Sequence, residues 1–166
     1  MKAMTLATLL AASTAALAQE TATATATATI VTPISITKDV DMNFGNIAVQ
    51  STTGGTAVMT PGGVRSRTGG VTLPNTTGTV TAASFSIAGQ ANYTYSITLP
   101  STALTITSGS NTMTVTAFTS SPTPNGTLNS SGAQTLTVGA TLNVAAAQPA
   151  GVYTSATPFS VTVNYN

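Results

Sequence analysis

The chain has 166 residues, a formal net charge of +1 and 4% charged residues, where soluble proteins carry about 25%. It has no Cys, His or Trp. Disulfides, Cys/His zinc sites and catalytic triads or dyads that use His or Cys are therefore excluded. Four Lys+Arg cannot build the basic surface that displaces counterions from nucleic acid. Thr occurs 37 times, and β-branching favours strands over helices. An all-β chain of one-domain length remains.

Met1 and Lys2 give a short positive start, Ala3 to Leu17 is mostly apolar, and Ala16-Leu17-Ala18 supplies small side chains. This reads as a secretory signal over 1–18, cleaved after Ala18. The expected destination is the cell surface or the medium, by way of the periplasm. No later stretch reaches the ~18 apolar residues that span a bilayer, so no membrane insertion is expected. Beyond Ala18, Lys38, Arg65 and Arg67 balance Glu20, Asp39 and Asp41.

Residues 19–32 form a Thr/Ala extension. Over 21–29, Thr and Ala alternate without a break. A strand period of two places every Thr on one face and every Ala on the other. Ile30 continues the Ala face, and Ile34, Ile36, Val40, Met42 and Phe44 keep the same parity. Pro33 marks a kink or a free N–H position between two strand pieces, and Gly45-Asn46 breaks the pattern. A Gly/Ser/Thr-rich stretch over 50–79 holds short strand candidates at 56–60 and 70–73.

The second half is cleaner. Strands are expected at 79–88, with Phe85 and Ile87 inward, and at 93–99, with Tyr93, Tyr95, Ile97 and Leu99 inward. Others are expected at 103–107 and at 112–119, where Met113, Val115 and Ala117 share a face. Pro122 to Gly126 reads as a loop. Residues 134–144 turn Leu136, Val138, Ala140, Leu142 and Val144 to one face. Residues 157–165 do the same with Phe159, Val161, Val163 and Tyr165. About eight short strands between turn signals predict an immunoglobulin-like (Greek-key) β-sandwich over 33–166 with an extended N-terminal strand.

PISITKDVDMNFGNI (33–47), GGVTL (69–73), ASFSIAG (83–89), YSITLP (95–100), NTMTV (111–115), GATLNV (139–144) and GVYT followed by FSVTVNYN (151–166) together carry a resemblance. In this combination the chain resembles a family of secreted bacterial domains of unknown function. That family is similar in turn to archaic chaperone–usher pilins and spore-coat-like subunits. The shared elements are Asn43-Phe44-Gly45 and a Gly151-x-Tyr153 turn before the alternating last strand. The resemblance implies a sandwich subunit with a periplasmic chaperone and an outer-membrane usher as partners. Archaic pilins carry a disulfide near the N-terminus; this chain does not.

An unpaired, uncharged strand free of proline is a template for pairing with another chain. Glu20 to Val31 fits that description after its first residue, and three readings stand. The segment donates a strand to a neighbouring copy, folds back on its own domain, or is a disordered linker. Under donation the assembly residues are Ala22, Ala24, Ala26, Ala28, Ile30, Ile34 and Ile36. The Thr-Ala repeat tolerates a two-residue slip, so register falls to Ile30, Ile34 and Ile36.

Other chemistry is thin. Asp39 and Asp41 are two carboxylates, and Ca²⁺ takes six to eight oxygens, so no metal is expected. No cofactor and no catalytic residue are expected, and the chain is not read as an enzyme. Thr rows at 21–29, 112–116 and 135–137 suit ice binding only on a flat sheet, and sandwich sheets twist. Without His, little should change between pH 5 and 8. The function expected is a structural subunit of an extracellular fibre or surface matrix, polymerising with copies of itself. The alternative is a monomeric adhesin or carbohydrate-binding module, with Tyr93, Tyr95, Tyr153 and Tyr165 as platform candidates.

Overall fold

The computed structural model describes residues 19–166; the expected signal segment lies outside the described residues. The chain divides after Ile30 into two units. In the first, residues 19–30 are exposed and take no strand pairing. The predicted strand at 21–29 thus forms no ladder with the other described residues. A strand needs a partner for its backbone groups, and Ala methyls offer only ~0.8 kcal/mol each on burial.

The second unit is an all-β sandwich of antiparallel strands. Its larger sheet runs β1 (Ser35–Val40), β6 (Ala83–Ala88), β11 (Ala133–Val144), β3 (Gly55–Met59) and β4 (Arg65–Gly69). To β11 it adds β9 (Asn111–Ser121), which in turn pairs with β8 (Leu104–Ser108). The smaller sheet is β10 (Asn125–Thr127), β7 (Thr94–Thr98) and β12 (Thr162–Tyr165). A short pair joins β2 (Ala48–Val49) to β5 (Val71–Thr72). Within these sheets only β3–β4 and β8–β9 pair strands adjacent in sequence. The other pairings are non-local.

Strand β11 is the spine. Its even residues from Leu136 to Val144 are all buried, as the alternation predicted. Leu136 and Val138 belong to one core, with Phe85 and Ile87 of β6 and Tyr95 and Val163 of the smaller sheet. Ala140, Leu142 and Val144 belong to a second, with Ala57, Val71 and Val115. Between the two, β11 exchanges β6 for β3 along one edge: Val138 faces Ala83, and Ala140 faces Met59. Gly139 sits at this exchange, and a Cβ there would run into the Met59 carbonyl.

Tyr95 is the largest fully buried side chain. It lies across Gly126, its partner on β10, whose missing Cβ leaves room for the ring. Its hydroxyl donates to Gln134 Oε1 at 2.6 Å. Burial raises the Tyr95 pKa above the ordinary phenol value. Above about pH 10 the unfolded chain releases this proton more readily than the native one. The native state's advantage is complete below that pH and is lost as pH rises through the raised value. Tyr95→Phe should cost about 1 kcal/mol at pH 7 through the lost hydrogen bond. Urea midpoints should show the gap to wild type narrowing above pH 10. A gap constant to pH 11 would contradict the linkage.

Several sequence expectations need correction. Val40 is 41% exposed despite its shared parity with Ile36. Lys38 faces Phe85 and Val40 faces Ser84, so Asp39 is an extra residue in a β-bulge. The bulge turns the following side chain to the other face. Ala117 is exposed with φ 49°, at a register shift opposite Gly139–Thr141, and Phe118 packs against the core instead. The loop at 122–126 ends in β10, and the strand at 157–165 is paired only over Thr162–Tyr165.

Candidate assembly segment and sheet edges

The seven candidate assembly residues divide into two groups. Ala22, Ala24, Ala26, Ala28 and Ile30 lie in the exposed, unpaired segment, with Ile30 at 95% exposure. Ile34 and Ile36 are half-buried against the first core, and Ile36 pairs with Ile87. These two serve their own sandwich here, so they are not free to set the register of a donated strand. Ile30 is the large apolar side chain that remains for that task.

Thr32 is held at both backbone groups. Its N–H donates to Gln90 Oε1 at 3.2 Å. Its carbonyl accepts from the Tyr165 hydroxyl at 2.8 Å, and that hydroxyl accepts from the Gln90 N–H at 2.6 Å. The last strand therefore clamps the chain two residues after Ile30. Sequence reading missed this clamp, because Gln90 and Tyr165 are remote from Thr32 and alternation placed Tyr165 only as an inward residue.

The sheet edges differ in how they are protected. Edge strand β1 carries the bulge at Asp39 and Lys38, whose ammonium pairs with Asp41 at 2.9 Å. On edge strand β4, Arg65 donates to the carbonyls of Phe44 and Asn46, and Arg67 to that of Val71. Bulges and charges of this kind discourage further pairing. This strand was missed in sequence; the polar alternation Arg65-Ser66-Arg67-Thr68 before Gly69 was its signal. Edge strand β8 is capped at Thr107 by a two-bond bridge to Thr154. Strand β10 has three residues and follows Pro122 and Pro124. The outer side of β12 carries no charge, proline, bulge or backbone partner among the described residues.

The remaining candidates take structural roles. Asp39 accepts from Ser86 Oγ at 2.8 Å, while Asp41 holds Lys38, so the two carboxylates are committed to different partners. Asn43 Oδ1 accepts from the Gly45 N–H at 2.8 Å, closing a turn. The Tyr153 hydroxyl donates to the Pro149 carbonyl at 2.7 Å and accepts from Gln148 Nε2 at 2.8 Å. Tyr95 is buried, and Tyr93, 43% exposed, stands edge-on to Tyr165. The four tyrosines do not come together as one platform. Two open depressions, of about 320 and 180 Å³, are lined by uncharged residues.

Compared with known proteins, the chain matches no curated protein and no solved structure. A family match covers residues 34–165, from just before β1 to the end of β12. The chain belongs to the family described as a domain of unknown function, DUF4402.

Proposed function

We propose that this protein is a structural subunit of an extracellular fibre or surface matrix, assembled from copies of itself by β-strand donation. The observation that carries the reading is residues 21–30. They have the period of a strand, no charge and no strand partner among the described residues. Such a segment adds to an open sheet edge through main-chain hydrogen bonds, with alternate side chains setting register. A subunit that gives one strand and receives one extends head to tail without closure. Balanced charge weakens repulsion between copies. The likeness of Asn43-Phe44-Gly45 and Gly151-x-Tyr153 to the corresponding elements of archaic chaperone–usher pilins supports the same reading.

Ile30→Asp and Ala24→Ser test it. Burying Ile contributes about 1.5–3 kcal/mol, so losing it and burying a carboxylate instead should reduce fibre yield more than tenfold. Ala24→Ser should change the yield only severalfold. Yields are counted by electron microscopy on the exported protein. Equal yields for the two variants would remove the anchoring role of Ile30. A single monomer peak for the unsubstituted protein would favour a monomeric adhesin.

A further inference from the structure

We infer that the larger depression, where the end of β11 meets β9, binds one ring of a neutral saccharide. Such a site serves a monomer and a fibre alike, so it stands apart from strand donation. The depression measures about 320 Å³, and Thr112, Thr114, Asn143 and Gln148 line it.

Local structure fixes its polar groups. Leu142 and Val144 are buried, so strand alternation turns Asn143 to the outer face of the sheet. Asn143 faces Thr114 across the ladder, and Thr112 stands two residues along on the same side of β9. After β11, Ala147 takes φ 51°, a left-handed turn, and Gln148 reaches back to β9. Asn143 Nδ2 donates to the Thr114 carbonyl at 3.3 Å and to the Thr114 and Thr116 hydroxyls at 3.2 and 3.0 Å. Gln148 Nε2 donates to the Thr112 carbonyl at 3.1 Å and to the Tyr153 hydroxyl at 2.8 Å. A backbone carbonyl only accepts, so these contacts fix which end of each amide is nitrogen. Both residues are half-buried, and no buried side-chain oxygen among the described residues lacks a partner. The two amide oxygens, which take no donor from those residues, are therefore open to solvent. The Thr114 hydroxyl accepts from Asn143 and keeps its proton to donate. The Thr112 side chain is exposed.

Fixed acceptors beside hydroxyl donors match a ligand rich in hydroxyl groups, each of which both donates and accepts. No cation lines the depression, so a carboxylate or phosphate would give up water there without a counter-charge. Strands β9 and β11 each lie between two neighbours, which leaves no open ladder here for a peptide strand. Ligand pockets begin at about 300 Å³, so the space suits a single ring better than a chain. A ligand of that size held by a few hydrogen bonds binds in the millimolar range.

Saturation-transfer NMR on the exported protein tests the site, since the signal is read on the small ligand and large assemblies are no obstacle. The probes are glucose, galactose, mannose and N-acetylglucosamine, with glucuronate as the charged comparison. At least one neutral sugar should give a saturable signal, and glucuronate a weaker one than the best of them. Thr112→Val removes one hydroxyl and should weaken that sugar about fivefold. Gln148→Leu should do the same, and the double variant should bring the signal below detection. Thr112 is exposed, so its variant should keep the fold even where Gln148→Leu does not, and urea midpoints check both. No signal from any of the four sugars would overturn the site. So would a signal unchanged in either folded variant, or one lost instead with Tyr93→Ala at the exposed tyrosine. Glucuronate binding most tightly would overturn the neutral class of ligand.

Discussion

Leu136→Ala is expected to lower the unfolding free energy by about 2–5 kcal/mol, and Thr135→Ala, one residue earlier, by less than about 0.5 kcal/mol. Leu136 is 0% exposed and faces Phe85 across the ladder. It packs in the core that joins the two sheets, so its removal leaves a cavity between layers held apart by their own ladders. Thr135 points to solvent from the same strand. Domains have only about 5–15 kcal/mol of net stability, and no disulfide supports this one. The larger loss therefore takes up much of the margin. Urea unfolding followed by circular dichroism measures both. Equal losses would mean that the faces of β11 are wrongly assigned.

Deleting residues 19–30 should leave the urea midpoint of the remaining domain within about 0.5 kcal/mol of the intact protein and abolish multimers. The deleted residues are exposed and take no strand pairing among the described residues, so their loss removes none of the ladders of the sandwich. The Thr32 clamp to Gln90 and Tyr165 lies outside the deletion. Among the described residues, assembly by donation has no other donor of this kind. Size-exclusion chromatography reads the multimers. A large fall in the midpoint would mean that the segment completes its own sandwich, and donation would lose its basis. Multimers persisting at full yield would locate assembly elsewhere.

Legibility in the sequence followed the apolar alternation. Strands β6, β7, β8, β9 and β11 were readable because large apolar residues recur every second position between turn residues. The last strand was readable in its inward face, Phe159 to Tyr165, but its paired length was not. A ladder also needs a neighbour, and only Thr162–Tyr165 has one. Strand β4 escaped because Arg65-Ser66-Arg67-Thr68 has no apolar face to read. Tyr93 was expected inward, yet it lies just outside β7 and is 43% exposed. Val40 followed correct parity until a single extra residue, Asp39, reversed it.

The candidate site divides in the same way. The donor segment was legible, since strict alternation without charge is visible in the chain itself. The separation of Ile30 from Ile34 and Ile36 was not, because it depends on β6 occupying the side of β1 that holds Ile36 opposite Ile87.

Composition and period two by themselves determined an all-β chain, the buried face of β11, and an uncharged ribbon at 21–30. Those are local properties, set by which side chains alternate along one strand. Only the tertiary structure decided that β11 passes from β6 to β3 at Gly139, that Arg65 and Arg67 cover one edge, and that β12 pairs on one side alone among the described residues. Each of these depends on which distant segment supplies the next hydrogen-bonded partner, and side-chain alternation along a strand carries no information about its neighbour.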